Sequence, residues 1–424
     1  MVNLIYNSSY FIILIPIGLL VIYYLLKYPE VSFALFISAY VLKGGINIGY
    51  FNLTAILLII TILGFLFPVL KGKKFEYHIK APDLWFFLFM IILIAGILWS
   101  PDYIIGIKKS WRVFVLTFTS YFIARMFLNQ ITQIKRFLYT ILISASLIGI
   151  ILMIRSYLIN FRGGRLQFFE ANPIPEASLL GIGILIATIS IIENSFKNRW
   201  IKWLIIGIIP VLFYGILLTG SRGPLVSTII AIIFYLLVKF RERPKFISIF
   251  SLSVVISFLV IVNINILPEG ILNRFNPLTW IESESYIIRI SSYKLTWEII
   301  LKNPLIGAGT GAIYIAENIF FEILSNVGII GLMLFIMFLY SAGKKGCQYL
   351  IKIYPYQDVS ERGIGLMVLI VTVALFVDKQ VSYELAADKD LFTFLGIIIN
   401  LPFLKSRKCC KYVNDKNLEE KVLE

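Results

Sequence analysis

The strongest constraint on this 424-residue chain is the recurrence of apolar runs near the roughly 20-residue length that carries a helix across hydrocarbon. Candidate spans fall at 10–26, 31–42, 50–70, 83–99, 111–127, 137–154, 176–192, 201–218, 225–239, 246–267, 318–340, 363–377 and 391–404. Lipid offers backbone N–H and C=O groups no partners, so each run must satisfy its own as a helix. The pattern predicts an all-α polytopic transmembrane bundle, one integral membrane domain over 1–424 with about 12–13 spans. The second and last runs are short, and either could be interfacial or re-entrant. With 59% hydrophobic and 15% charged residues, ordinary soluble domains are excluded.

Basic residues near span ends stay cytoplasmic, and here they recur at alternate loops. The inside set holds Lys71, Lys73, Lys74 and Lys80; Lys135 and Arg136; Lys197, Arg199 and Lys202; Lys239, Arg241, Arg243 and Lys245; Lys344, Lys345 and Lys352; and Lys405, Arg407, Lys408 and Lys411 in a basic tail over 405–424. The net charge of +15 is then largely a topology signal and no argument for nucleic acid. Lys108, Lys109 and Arg112 fall on the opposite face as an exception.

Against this bias, the loops assigned outside also carry arginines. Arg222 sits in Leu217-Leu218-Thr219-Gly220-Ser221-Arg222-Gly223-Pro224, a hairpin between two apolar runs with almost no loop to reach water. An arginine fixed at a membrane boundary costs several kcal/mol unless it is paired or binds an anion. Arg155, Arg162 and Arg165 lie in another outer loop, 155–175, where a phosphate-bearing ligand or lipid headgroups would account for them. Topology puts Arg222 and Arg289, supported by Arg165 or Arg162, on one outward cavity.

The segment 268–317 is the longest without a span and is expected to cap the outer face. Tyr293 and Trp297 lie at i and i+4, which predicts a short amphipathic helix near 286–302 that carries Arg289 and breaks at Asn303-Pro304. Gly307-Ala308-Gly309-Thr310-Gly311 follows without the βαβ context of a nucleotide site, so its glycines serve tight turning or close backbone approach. Next, Glu317-Asn318-Ile319-Phe320-Phe321-Glu322 enters a span. Asn318 and Glu322 share a face there, and Glu317 points elsewhere. A carboxylate at this edge is either an ion-pair partner of the arginines or a general base.

Cys347, Cys409 and Cys410 are too few for a disulfide framework or a zinc site, and His78 is a solvated loop residue. The first run lacks a basic n-region and a cleavage site, so its helix is expected to stay. No cofactor is implied. No outer acidic cluster has good metal spacing, the nearest being Glu282 with Glu284, so metal independence is expected.

These residues resemble the O-antigen ligase and polymerase superfamily. The resemblance is carried by Leu218-Thr219-Gly220-Ser221-Arg222-Gly223, the long loop with Arg289 and Trp297, Asn303-Pro304-Leu305-Ile306-Gly307-Ala308-Gly309, Glu317-Asn318 and Gly328-Ile329-Ile330-Gly331, with Arg162-Gly163-Gly164-Arg165 and Asn172-Pro173 before them. It covers about 160–335 in ordered motifs. It implies a membrane glycosyltransferase of the bacterial cytoplasmic membrane, working at the outer face on undecaprenyl-diphosphate-linked oligosaccharide. Membrane lipids and other polysaccharide-assembly membrane proteins are the further partners it implies.

Two positions depart from the pattern. Ligases carry histidine where this chain has Glu317, and glutamate often stands where Asn326 does, so the resemblance leans toward polymerase over ligase. Arg222, Arg289 and Glu317 are then expected to be catalytic. Arg162, Arg165, Asn172, Ser221, Asn318, Glu322 and Trp297 are expected to bind substrate. A different class, a lipid-glycan flippase or transporter, would show internal repeats and midplane polar sites, and neither is evident.

Overall fold

The computed structural model describes residues 8–39, 47–48, 51–72, 77–161, 163–167, 172–196, 198–240, 269–275, 283–313, 316–354, 359–382, 384–385 and 388–404. Its helices are α1 (Ser8–Lys27), α2 (Pro29–Ser38), α3 (Leu53–Leu70), α4 (Ala81–Ala95), α5 (Tyr103–Arg112), α6 (Thr119–Phe127), α7 (Ile131–Leu158), α8 (Pro173–Ile192), α9 (Arg199–Thr219), α10 (Arg222–Lys239), α11 (Glu269–Phe275), α12 (Glu284–Lys302), α13 (Ile319–Gln348), α14 (Val359–Asp378) and α15 (Asp390–Asn400). A short antiparallel hairpin pairs Asn47–Ile48 with Phe51–Asn52 before α3.

The all-α polytopic bundle is the observed architecture, but fewer helices qualify as spans than the expected 12–13. Among the described residues seven helices are long and apolar enough to cross a membrane, or eight if α1 and α2 count as one. The reasons are local. The runs at 10–26 and 31–42 are halves of one pair bent by 104° where Pro29 starts α2. The run at 111–127 is part of a longer α5–π–α6 rod that carries Lys108, Lys109, Arg112 and Arg125, the run at 363–377 lies in α14 with Glu361, Arg362 and Asp378, and α15 has only 11 residues. The run at 246–267 and the tail 405–424 lie outside the described residues.

The core forms where apolar faces meet: α8 against α7, α9, α10 and α14, and α4 against α13. Beside the second contact Phe86 packs against Tyr121, Phe338 and Phe392, and Tyr121 meets Phe338 edge-on. α8 is the most enclosed span, with 78% of its apolar window buried. It is therefore a packing axis that lipid does not reach.

Buried charges are paired, as the cost of an isolated ion in this medium demands. Arg125 meets Asp83 at 3.1 Å and also donates to Asn400. Glu193 accepts from Tyr235 Oη and Lys239 Nζ, both at 2.8 Å. Glu322 meets Lys109 Nζ at 2.7 Å and accepts from Leu385 N at 3.0 Å, with both charged side chains almost wholly buried. This explains part of the basic cluster that violated the topology pattern, since Lys109 is the counter-ion of a carboxylate inside the bundle. Arg112 is likewise paired, with Glu384 at 2.7 Å.

α10 runs from Arg222 to Lys239, roughly 27 Å at helical rise, so its two ends are a bilayer core apart. One end of the bundle gathers arginines and the other gathers lysines. α12 lies at the arginine end, where Tyr293 and Trp297 both contact Phe321, with ring centroids 5.5 and 6.3 Å apart. The expected helix near 286–302 is therefore present, on the end opposite Lys239.

Candidate functional site

The site grows from the α9–α10 hairpin. Gly220 ends α9 in the left-handed conformation at φ 61, and a Cβ there would come within 2.5 Å of Gly164 O and 3.0 Å of Arg274 Cδ. Only glycine lets the two loops touch. Leu166 N donates to Leu218 O at 2.9 Å, fixing the Gly163-Gly164-Arg165 loop beside the hairpin. Arg155 is not a snorkelling residue here, because its guanidinium donates to Gln167 O at 2.6 Å and ties that loop to α7.

The consequence is convergence. Arg165, Arg222, Arg274 and Arg289 line one cavity together with Ile174, Ser221, Ser285 and Ser382, and no carboxylate lines it among the described residues. Ile174, Arg222 and Ser285 belong to the first turns of α8, α10 and α12, so three helix N-termini also point their partial positive charge this way. Burial, reinforced by the three neighbouring guanidinium groups, pushes Arg165 down to about 10. Burial also lowers Arg274. Arg165 Nε and Ser221 Oγ are buried at the cavity without a hydrogen-bond partner among the described residues. Such atoms cost about 1–3 kcal/mol each unless something fills the site.

At the rim, Glu317 Oε2 lies 3.6 Å from Arg289 Nε. Burial raises the Glu317 carboxyl above its ordinary range, and Arg289 opposes that rise. Its backbone is left-handed at φ 58; the other described non-glycine residues with positive φ, Asn160 and Asn194, are of the type that tolerates it. Surrounding structure thus holds a strained glutamate against an arginine.

Other expected site residues are used differently. Asn318 caps α13, accepting from Phe320 N and Phe321 N, and its amide donates to Gln380 O at 3.0 Å. Asn172 caps α8 by accepting from Ile174 N, which sets one of the three converging N-termini. Glu322 is locked to Lys109 inside the bundle and does not line the arginine cavity. Trp297 packs on Phe321 and remains half exposed. Arg162 and Glu282 lie outside the described residues, as does the side chain of Glu284.

Sequence reasoning missed Arg274. It lies seven residues after a run read as a span and belongs to no quoted motif, so nothing local marked it. Its place on the short helix α11 puts it against Gly164 and Gly220.

The glycine run serves the scaffold. α13 is broken at Gly328, with φ 64 and ψ −164. The freed groups are taken up by the loop: Ala308 N donates to Ser325 O, Gly309 N to Asn326 O, Ile329 N to Pro304 O and Ile330 N to Leu305 O. Asn326 is fully buried, donates to Glu322 O and accepts from Gly311 N. An amide does both, which a carboxylate could not.

Residues 208–336 match the family model described as O-Antigen ligase. The match runs from α9 into α13 and takes in Arg222, Arg274, Arg289, Glu317 and Asn318, while Arg165 and Asn172 precede it. No curated protein matches the chain. The match supports the O-antigen ligase and polymerase superfamily, whose members are glycosyl-transferring membrane proteins of polysaccharide assembly. The apolar helices make the chain a multi-pass membrane protein, and its similarity to that superfamily lies over residues 208–336.

Proposed function

We propose that the chain polymerises undecaprenyl-diphosphate-linked oligosaccharide repeats at the outer face of the bacterial cytoplasmic membrane. The observation that carries this reading is the single cavity in which Arg165, Arg222, Arg274 and Arg289 converge. Four fixed cations and three helix N-termini suit a multiply charged anion, and a lipid diphosphate presents one at the depth of a span end. The lysine-rich opposite end supports the same orientation.

In the transfer, an acceptor hydroxyl oxygen bonds to C1 of the donor sugar and the bond from C1 to the phosphate oxygen breaks. That oxygen keeps the electron pair, and the hydroxyl proton passes to Glu317. The arginines stabilise the charge that grows on the leaving diphosphate, supplying neutralisation that a metal ion would otherwise provide, so the reaction is metal-independent. Arg289 has two claimants. A bound diphosphate competes with Glu317 for its guanidinium, which releases the carboxylate when a base is needed. Burial keeps that carboxylate more basic than usual.

The space between the arginines is small, about 30 Å³, so their side chains must part to admit a diphosphate. Ser221 Oγ and Arg165 Nε then gain a hydrogen-bond partner that no described residue supplies.

Glu317 at the position of the ligases' histidine favours a polymerase. The family description favours the second reading, a ligase passing a lipid-linked glycan to a final acceptor. Deletion followed by analysis of lipid-linked glycans separates them: accumulated single repeats support the polymerase, and long lipid-linked chains that never reach an acceptor support the ligase. An unchanged glycan profile would overturn both.

A further inference from the structure

We propose that the opposite end of the bundle carries a second anion site, built to hold the phosphate headgroup of an anionic phospholipid on Lys80, Lys344, Lys345 and Lys352. These lysines line a cavity of about 500 Å³ between the start of α4, the end of α13 and the Leu401–Phe403 turn, and no carboxylate lines it among the described residues. Positive-inside topology asks only that such charges lie on one side of the membrane. It does not ask segments about 260 residues apart to turn their cations into one hollow, where mutual repulsion disfavours them without an anion.

The shape fits an amphiphile. Lys80 Nζ and Lys345 Nζ both lie over the Phe403 ring, 4.4 and 5.4 Å from its centroid, which fixes the cationic rim. Below that rim the wall is Trp85, Met337 and Tyr340, of which Met337 and Tyr340 are 47% and 69% exposed. A headgroup on the lysines would place its acyl chains along this apolar wall, the arrangement expected where basic residues and aromatics meet the membrane interface. A free phosphate would use the rim and leave the wall bare. An acidic protein segment would lie across the rim alone.

The site stands apart from the arginine cavity. The two cavities share no lining residue, and Lys344 lies 16 residues beyond the break at Gly328, roughly 24 Å at helical rise. Its failure would leave the proposed transfer chemistry untouched.

The test is binding of short-chain phosphatidylglycerol and phosphatidylcholine to the purified full chain, read by native mass spectrometry in zwitterionic detergent. Wild type is expected to prefer phosphatidylglycerol by about tenfold or more, a modest share of the roughly 1 kcal/mol each basic residue contributes near anionic lipid. Joint Lys80→Gln, Lys344→Gln, Lys345→Gln and Lys352→Gln substitution should bring the preference to within about twofold, and the control Lys27→Gln, Lys71→Gln and Lys135→Gln should leave it near wild type. If the joint variant does not fold, Lys344→Glu at an exposed position should still reduce the preference. Equal retention of both lipids, a preference that survives the joint substitution, or displacement of the lipid by equimolar inorganic phosphate or an acidic peptide would overturn the proposal.

Discussion

Arg289 Nε and Glu317 Oε2 stand 3.6 Å apart, joining the long loop's helix α12 to the strained residue that precedes α13. Each side chain is about a quarter exposed, so the pair is open to solvent. It couples the group expected to take a proton to a cation expected to hold the leaving group.

Glu317→Gln keeps size and hydrogen bonding and removes the basic oxygen. Polymer formation at equal membrane abundance should fall roughly 100-fold or more, the scale of a lost general base. Near-normal polymer length and yield would remove Glu317 from the mechanism.

The same residue sets a pH dependence. The folded carboxyl titrates above its ordinary value, so wild-type activity should decline as pH falls through that raised pKa, and Glu317→Gln should lack this acid limb. For stability the sign is opposite. The folded state binds this proton more tightly than the unfolded chain, so the stabilisation it gives is present at acid pH and lost as pH rises through the raised value. Activity profiles of both proteins between mildly acidic and neutral pH check it.

Arg274 should matter although no motif contains it. Arg274→Ala is expected to reduce transfer by roughly 10-fold or more at unchanged abundance, in line with removal of one charge-stabilising donor. Arg274→Lys should recover only part of that, because a point charge does not replace a planar fork. Full activity in Arg274→Ala would separate α11 from the site.

How much was readable beforehand follows from where each signal resides. Apolar run length is local, so a helical membrane bundle and the α12 helix were both legible, as was the grouping of Arg165, Arg222 and Arg289 by topology. The span count was not. Whether a run of residues 31–42 crosses or folds back depends on the 104° bend between α1 and α2, which packing decides. Arg274 and the partner of Glu322 were hidden for a related reason. Lys109 lies more than 200 residues from Glu322, and only the fold brings them to 2.7 Å.

That buried pair gives a stability prediction. Lys109→Met alone strands Glu322 without its counter-ion and should cost about 3–5 kcal/mol, seen as a lower unfolding temperature in detergent. The double change Lys109→Met with Glu322→Leu should recover much of the loss. If the single variant melted like wild type, the pair would be dispensable.

Gly328→Ala tests the break in α13. Its φ of 64 with ψ −164 is reserved for glycine, and an added Cβ would fall 2.3 Å from Leu305 O. Membrane abundance should drop sharply, with no rescue by substitutions in the arginine cavity. Normal abundance would mean that the Gly307–Gly311 loop can detach from α13 without penalty.

The central claim is that Arg222 and Arg289 share one diphosphate, and the direct measurement is equilibrium binding of undecaprenyl diphosphate to purified protein. Wild type should bind the diphosphate with an affinity that weakens as salt rises. Arg222→Ala and Arg289→Ala should each lower that affinity roughly 10-fold or more, the loss of one charge-assisted contact, while leaving the weak binding of undecaprenol unchanged. Equal affinity of wild type and both variants for the diphosphate would contradict the account.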